Sequence, residues 1–228
     1  VSTPIGTPAP VPATGAATVS ASGTGLTLQT QSSAMLRSTL SFSGTSSQAA
    51  GTQIEIERSG RETGWIWAPT TTATVTPGGT FAATWATDHI GRFAIRAVAL
   101  SSIDQPEAVT GPLTSTVFLQ TKATLYGPGL YGRKTACGER LTPQTIGVAN
   151  RTLKCGESVA LSYDGRTINV PVIDRGPYAN GADWDLTEAT GSELGMDGTS
   201  QLGAVSLPAA PATAAGQPAV SAPVGAGS

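Results

Sequence analysis

With 228 residues and 39% hydrophobic content, the chain has room for one large domain or two modest ones. Only 12% of residues are charged and the net charge is −2, which removes nucleic acid as a partner and leaves no polybasic stretch for an anionic membrane. No apolar run approaches the roughly 18–20 residues of a membrane span, and His89, the only histidine, stands far from both cysteines, so a Cys/His zinc site is excluded.

In chain order, residues 1–23 come first, an Ala/Pro/Gly/Ser/Thr/Val mixture without charge or aromatics. Such a segment buries too little to offset its ordering entropy, so it is predicted as a disordered, semi-stiff linker, like the similar tail at 207–228. The sequence opens at Val1 with neither Met nor a basic, then apolar leader. It is read as a trimmed product whose targeting signal, with any anchor, is missing from view.

Residues 24–120 alternate apolar and polar positions. LSFS (40–43), QIEIER (53–58), WIWAP (65–69), TFAATWA (80–86), RFAIRAVAL (92–100) and TSTVFLQ (114–120) are each bounded by Gly, Pro or Asp. About seven short strands at this spacing predict an antiparallel sandwich of immunoglobulin or fibronectin type. Trp65, Trp67 and Trp85 are its expected core anchors, and no acids, nucleophiles or ligands gather there. A spacer or adhesion module is expected.

Residues 121–206 change character. ATLYGPGLYG reads as a strand running into a Gly/Pro turn; GPGLYG lacks the Lys-Ser/Thr of a phosphate loop. Several strands follow, with Asp164-Gly165 closing a tight hairpin. DWDLTEATGSELG (183–195) predicts a helix, with Asp185 as N-cap, Glu188 three later and Gly195 as C-cap. Cys137 and Cys155, 18 positions apart, are read as a disulfide suited to an oxidising compartment; two reduced, buried thiols are the alternative.

Four stretches in order, ATLYGPGLYGRKTACGERLTP (123–143), GVANRTLKCGESVAL (147–161), INVPVIDRGPY (168–178) and DLTEATGSELG (185–195), carry a family resemblance. They resemble the double-psi β-barrel of the rare lipoprotein A family, the septal ring lytic transglycosylases, and more distantly the barrel of expansins. The resemblance implies a six-stranded barrel with one or two short helices, which together with the preceding sandwich read from alternation makes the chain mainly β. It also implies a secreted protein of the cell wall or periplasm, acting on peptidoglycan glycan strands. The lytic members split the bond between N-acetylmuramic acid and N-acetylglucosamine without water, leaving a 1,6-anhydro sugar; expansins loosen glycan networks without lysis. A non-catalytic glycan-binding or wall-loosening module is therefore the alternative reading. No cofactor or metal is expected, and the chain is expected to be a monomer.

Glycosidic cleavage needs a proton donor and negative charge near an oxocarbenium-like centre. Asp174 is the first candidate, placed where VPVI opens into Arg-Gly-Pro-Tyr; it matches the Asp of the family's active groove, while a turn aspartate bonding backbone N–H groups is the structural alternative. Asp185 and Glu139 match acidic groove positions in expansins and lytic enzymes respectively, and Asp183 is a fourth nearby acid. Asn150 stands where lytic members commonly carry a histidine; it can orient Asp174 or a sugar but cannot carry a proton. Tyr126, Tyr131, Tyr178 and Trp184 are candidate sugar platforms, with ordinary packing as the alternative.

Overall fold

The computed structural model describes residues 16–100, 106–179 and 181–209. The first half carries β1 (Thr18–Gly23), β2 (Leu26–Gln31), β3 (Ser33–Met35), β4 (Thr39–Thr45), β5 (Gln53–Ser59), β6 (Ala68–Thr74), β7 (Thr80–Ala86), β8 (Gly91–Leu100) and β9 (Pro106–Val109). The second half carries β10 (Leu113–Tyr126), β11 (Val148–Ala149), β12 (Ser158–Tyr163), β13 (Arg166–Asp174), β14 (Trp184–Thr187), α1 (Glu188–Leu194) and β15 (Ser200–Ser206).

Two sheets make the N-terminal unit. One has the order β1-β2-β4-β7; the other runs β10-β8-β5-β6, with β3 on β10 and β9 on β8. The alternating apolar residues of both, among them Leu28, Phe42, Phe81 and Trp85 from one sheet and Ile54, Ile56, Phe93 and Ile95 from the other, meet in one buried cluster. The linker expected through residue 23 ends earlier, because Val19 and Ala21 alternate inward and pack on this cluster as part of β1. Residues 1–15 and 210–228 of the two expected tails lie outside the described residues.

WIWAP is not a strand throughout. A short 3-10 turn at Arg61–Thr63 ends on left-handed Gly64, and Trp65 follows with φ 67°, so the chain straightens only at Ala68. Trp85 is buried as expected, whereas Trp65 and Trp67 are half-buried, Trp67 lying under the Arg96 guanidinium at 4.3 Å.

The C-terminal unit closes on itself in the order β14-β11-β13-β12-β15-β10, with β14 pairing back to β10. Two pairings, β10 with β14 and β11 with β13, are parallel. Val148, Leu161, Val170, Val172, Leu186 and Leu202 fill the interior. The β12–β13 hairpin turns through Asp164 and Gly165, both with positive φ (46° and 77°), as its Asp-Gly pair requires.

The two units share one strand rather than a linker. Leu113–Val117 of β10 pairs with β8, and Leu119–Ala123 pairs with β15, so the boundary expected at 120/121 falls inside a single strand. Between these spans, Phe118 packs with Ala160 and Val205 at the junction.

Candidate active site

The site is set out by strand register. Thr124 of β10 faces Asp185 of β14, Asp185 faces Ala149 of β11, and Ala149 faces Asp174 of β13. Ala123, Trp184, Leu186 and Val148 point into the barrel, so their neighbours Thr124, Asp185 and Ala149 point outward. Asp174 shares parity with the interior residues Val170 and Val172. A register shift at Val148/Ala149 skips Ile173 and sets Asp174 against Ala149, in the same row as Asp185. The two aspartates thus stand two strand spacings apart, about 10 Å between Cα atoms.

Asp185 does not cap the helix. It lies in β14, and Thr187 is the N-cap, accepting from the Thr190 N–H; Gly195 caps the C-terminus in left-handed geometry as expected. Freed from capping, the half-buried Asp185 carboxylate accepts from Thr124 Oγ at 2.8 Å. Burial raises its pKa, the Thr124 hydrogen bond opposes this, and the charge of Asp174 raises it further.

Asp174 is also half-buried, and its Oδ1 accepts the N–H groups of Ala136 and Arg175, both at 2.8 Å. The structural alternative for this residue is therefore present, yet it occupies one oxygen only. No ion pair reaches Asp174, Asp185 or Glu139 among the described residues. Glu139 is exposed on the loop after β10, and the Cys137–Cys155 disulfide, Cα atoms 5.6 Å apart, ties that loop to the Asn150 loop. Asp183 stands apart, 3.6 Å from Arg151, whose guanidinium also holds the carbonyls of Pro177 and Ala182.

The aromatic expectations divide. Trp184 is buried in the barrel interior and is no platform, because the period of the strand that turns Asp185 out turns Trp184 in. Tyr131 and Tyr178 are exposed, at 38% and 79%. The Tyr131 hydroxyl folds back over Gly127, where a Cβ would sit 2.8 Å from it and 2.9 Å from Glu188 Cγ. Tyr126 is half-buried, with its hydroxyl sealed from solvent. Burial first, then Asp174, Asp185 and Glu139, push its ionisation far above the ordinary phenol range. All three candidate acids thus act on one hydroxyl.

Asn150 does not orient Asp174 through its side chain. Its Oδ1 accepts the N–H groups of Thr152 and Leu153, each at 3.0 Å, which stabilises its own turn. The link to Asp174 is through the backbone, Asn150 N–H to Asp174 carbonyl at 3.2 Å. Thr124 and the Ala136 N–H are the partners that residue-type reasoning missed. Thr124 was accessible from alternation in ATLY, which puts it and Tyr126 on one face; the Ala136 contact depends on tertiary folding.

A protein-family model described as "Lytic transglycolase" matches residues 120–207, the closed barrel with its two parallel pairings. This barrel is a rare lipoprotein A-like domain. The rare lipoprotein A-like barrel is 37% identical over 87 residues to the probable endolytic peptidoglycan transglycosylase RlpA of Synechocystis, covering 37% of this chain and 27% of that protein. It is 37% identical over 81 residues to the Aquifex aeolicus protein of the same name, covering 35% and 36%. The chain thus spans only about a third of the length of these relatives. Among solved structures, a Streptomyces papain inhibitor matches at 30% identity and a TM-score of 0.28, over 38% of this chain and 92% of its own.

Proposed function

We propose that the rare lipoprotein A-like barrel is a lytic transglycosylase domain that cleaves peptidoglycan glycan strands, with Asp185 as the proton carrier. The observation that carries this reading is the outward row Thr124–Asp185–Ala149–Asp174, in which a half-buried carboxyl with a raised pKa stands beside a second aspartate. Sequence favoured Asp174 as the acid; the surroundings of Asp185 make it the better proton donor, and Asp174 the better charge stabiliser. The names of the relatives support the same activity.

In this scheme protonated Asp185 gives its proton to the bridging oxygen as the bond from that oxygen to the muramic acid C1 breaks. Asp174 and Glu139 supply negative charge beside the oxocarbenium-like centre. The Asp185 carboxylate then takes the proton of the sugar's own C6 hydroxyl as that oxygen bonds C1. Water is not consumed, and Asp185 ends protonated again. Tyr131 and Tyr178 offer exposed rings to the sugars at the rim. The chain would act as a monomer in the cell wall or periplasm, where the Cys137–Cys155 disulfide persists. The sandwich, read as immunoglobulin-like, would serve as a spacer or adhesion unit.

Digestion of purified peptidoglycan, with and without stem peptides, followed by mass analysis for 1,6-anhydro ends, tests the reading. Wild type is expected to produce such ends, and Asp185→Asn to lose at least ~100-fold in rate while still sedimenting with the glycan. Because Asn150 cannot titrate and its Oδ1 is held in its own turn, wild type that binds glycan without producing these ends would mark a wall-binding module instead.

A further inference from the structure

Among the described residues, two buried side-chain polar atoms lack a hydrogen-bond partner, the Tyr126 hydroxyl and the Thr135 hydroxyl. Both belong to the aspartate site. Thr135 directly precedes Ala136, whose N–H holds Asp174, and Tyr126 stands two residues beyond Thr124 on the same outward face of β10. A buried hydroxyl without a partner is costly, and native proteins rarely retain one without a use.

We propose that Tyr126 is a positioning residue for the aspartate pair: its hydroxyl, unpaired at rest, donates a hydrogen bond to the pair once Asp185 has released its proton. The proposal rests on the reading of Asp185 as a proton carrier. Tyr126 shares the face of β10 with Thr124, whose register partner on β14 is Asp185, so the phenol arrives on the face that carries the aspartate row. When Asp185 ionises, two negative groups share a half-buried face with no cation paired to either. A neutral donor in their midst offsets that repulsion without adding a charge of its own.

The phenol suits this role because it keeps its proton. Burial and the charges of Asp174, Asp185 and Glu139 all hold it in the O–H form. No imidazole can substitute for it. His89 is the single histidine of the chain and sits in the sandwich, 3.0 Å from Asp88, while Asn150 does not titrate. The charged groups around the phenol are Asp174 from β13, Asp185 from β14, Glu139 from the loop after β10, Glu188 from α1 beside Gly127, and Arg175 next to Asp174.

The test is a carboxyl-carbon NMR titration of the ligand-free full chain, wild type against Tyr126→Phe. Removing the donor is expected to raise the Asp185 midpoint by about one to two pH units, the worth of a hydrogen bond to a charged group. In wild type, the Cζ carbon of Tyr126 is expected to move through the same midpoint as Asp185. An unchanged Asp185 midpoint in folded Tyr126→Phe overturns the proposal. If that variant does not fold, the wild-type Tyr126 signal decides alone, and a flat Cζ shift across the Asp185 titration overturns it. Neither measurement uses glycan, so a failure here is separate from a failure of the lytic reading.

Discussion

In the sandwich, Arg58 lies 2.5 Å from Glu62 and 4.7 Å from the Trp85 ring, while Arg96 lies 2.5 Å from Glu57 and 4.3 Å from the Trp67 ring. Each guanidinium has both an acid and an indole. In the barrel, Asp174, Asp185 and Glu139 have no paired cation among the described residues, and the buried Tyr126 hydroxyl that feels all three has no hydrogen-bond partner there. These two arginines are neutralised on the spot, which serves stability. The barrel leaves like charges together, which costs stability and is typical of sites that handle protons. Both units nevertheless share the same strand, β10, so the sandwich is built directly onto the barrel that carries the acids.

The strongest way to break that picture is at the shared strand. Phe118 is buried where the two units meet, and Phe118→Ala is expected to cost about 3–5 kcal/mol. Denaturant unfolding should show one transition shifted as a whole; two separate transitions, with only one displaced, would mean that β10 does not couple the units. Next comes the disulfide, which closes an 18-residue separation. Replacing Cys137 and Cys155 by Ala is expected to cost ~3 kcal/mol and to weaken glycan turnover, since the Glu139 loop loses its tether. Full turnover in the disulfide-free protein would remove that loop from the mechanism.

The smallest effect sharpens the contrast in charge. Asp185 has a folded pKa raised by burial and by Asp174, so the folded chain holds this proton more tightly than the unfolded chain does. That contribution to stability is fully present below the ordinary aspartate value and is lost as pH rises through the raised value. Above that raised value the ionised group therefore weighs against the fold. Asp185→Asn, which can still accept from Thr124, is expected to raise Tm slightly at neutral pH, with the gain vanishing near about pH 3. A lower Tm at neutral pH would show that the carboxylate stabilises the fold and is not held in reserve for chemistry.

Much of this was legible in the residues. Period-two alternation located β4, β5, β7 and β8, Asp164-Gly165 located the β12–β13 hairpin, and the two cysteines form the expected disulfide. The misreadings share one cause. In DWDLTEATG the Asp185–Glu188 spacing fits a capping box, yet parallel pairing with β10 extends the strand through Thr187, which caps the helix instead. For Trp184 the sequence left a sugar platform and ordinary packing both open, and the structure gives packing, because the strand that presents Asp185 buries its neighbour.

By itself, the sequence determined the composition of each unit, the hairpin, the disulfide and the set of candidate acids. Only the tertiary structure decided which of those acids share a face. Parallel pairing joins strands distant in sequence, and a single register shift sets Asp174 in the same row as Asp185. Register between distant strands is a property of the closed barrel, and no local pattern encodes it.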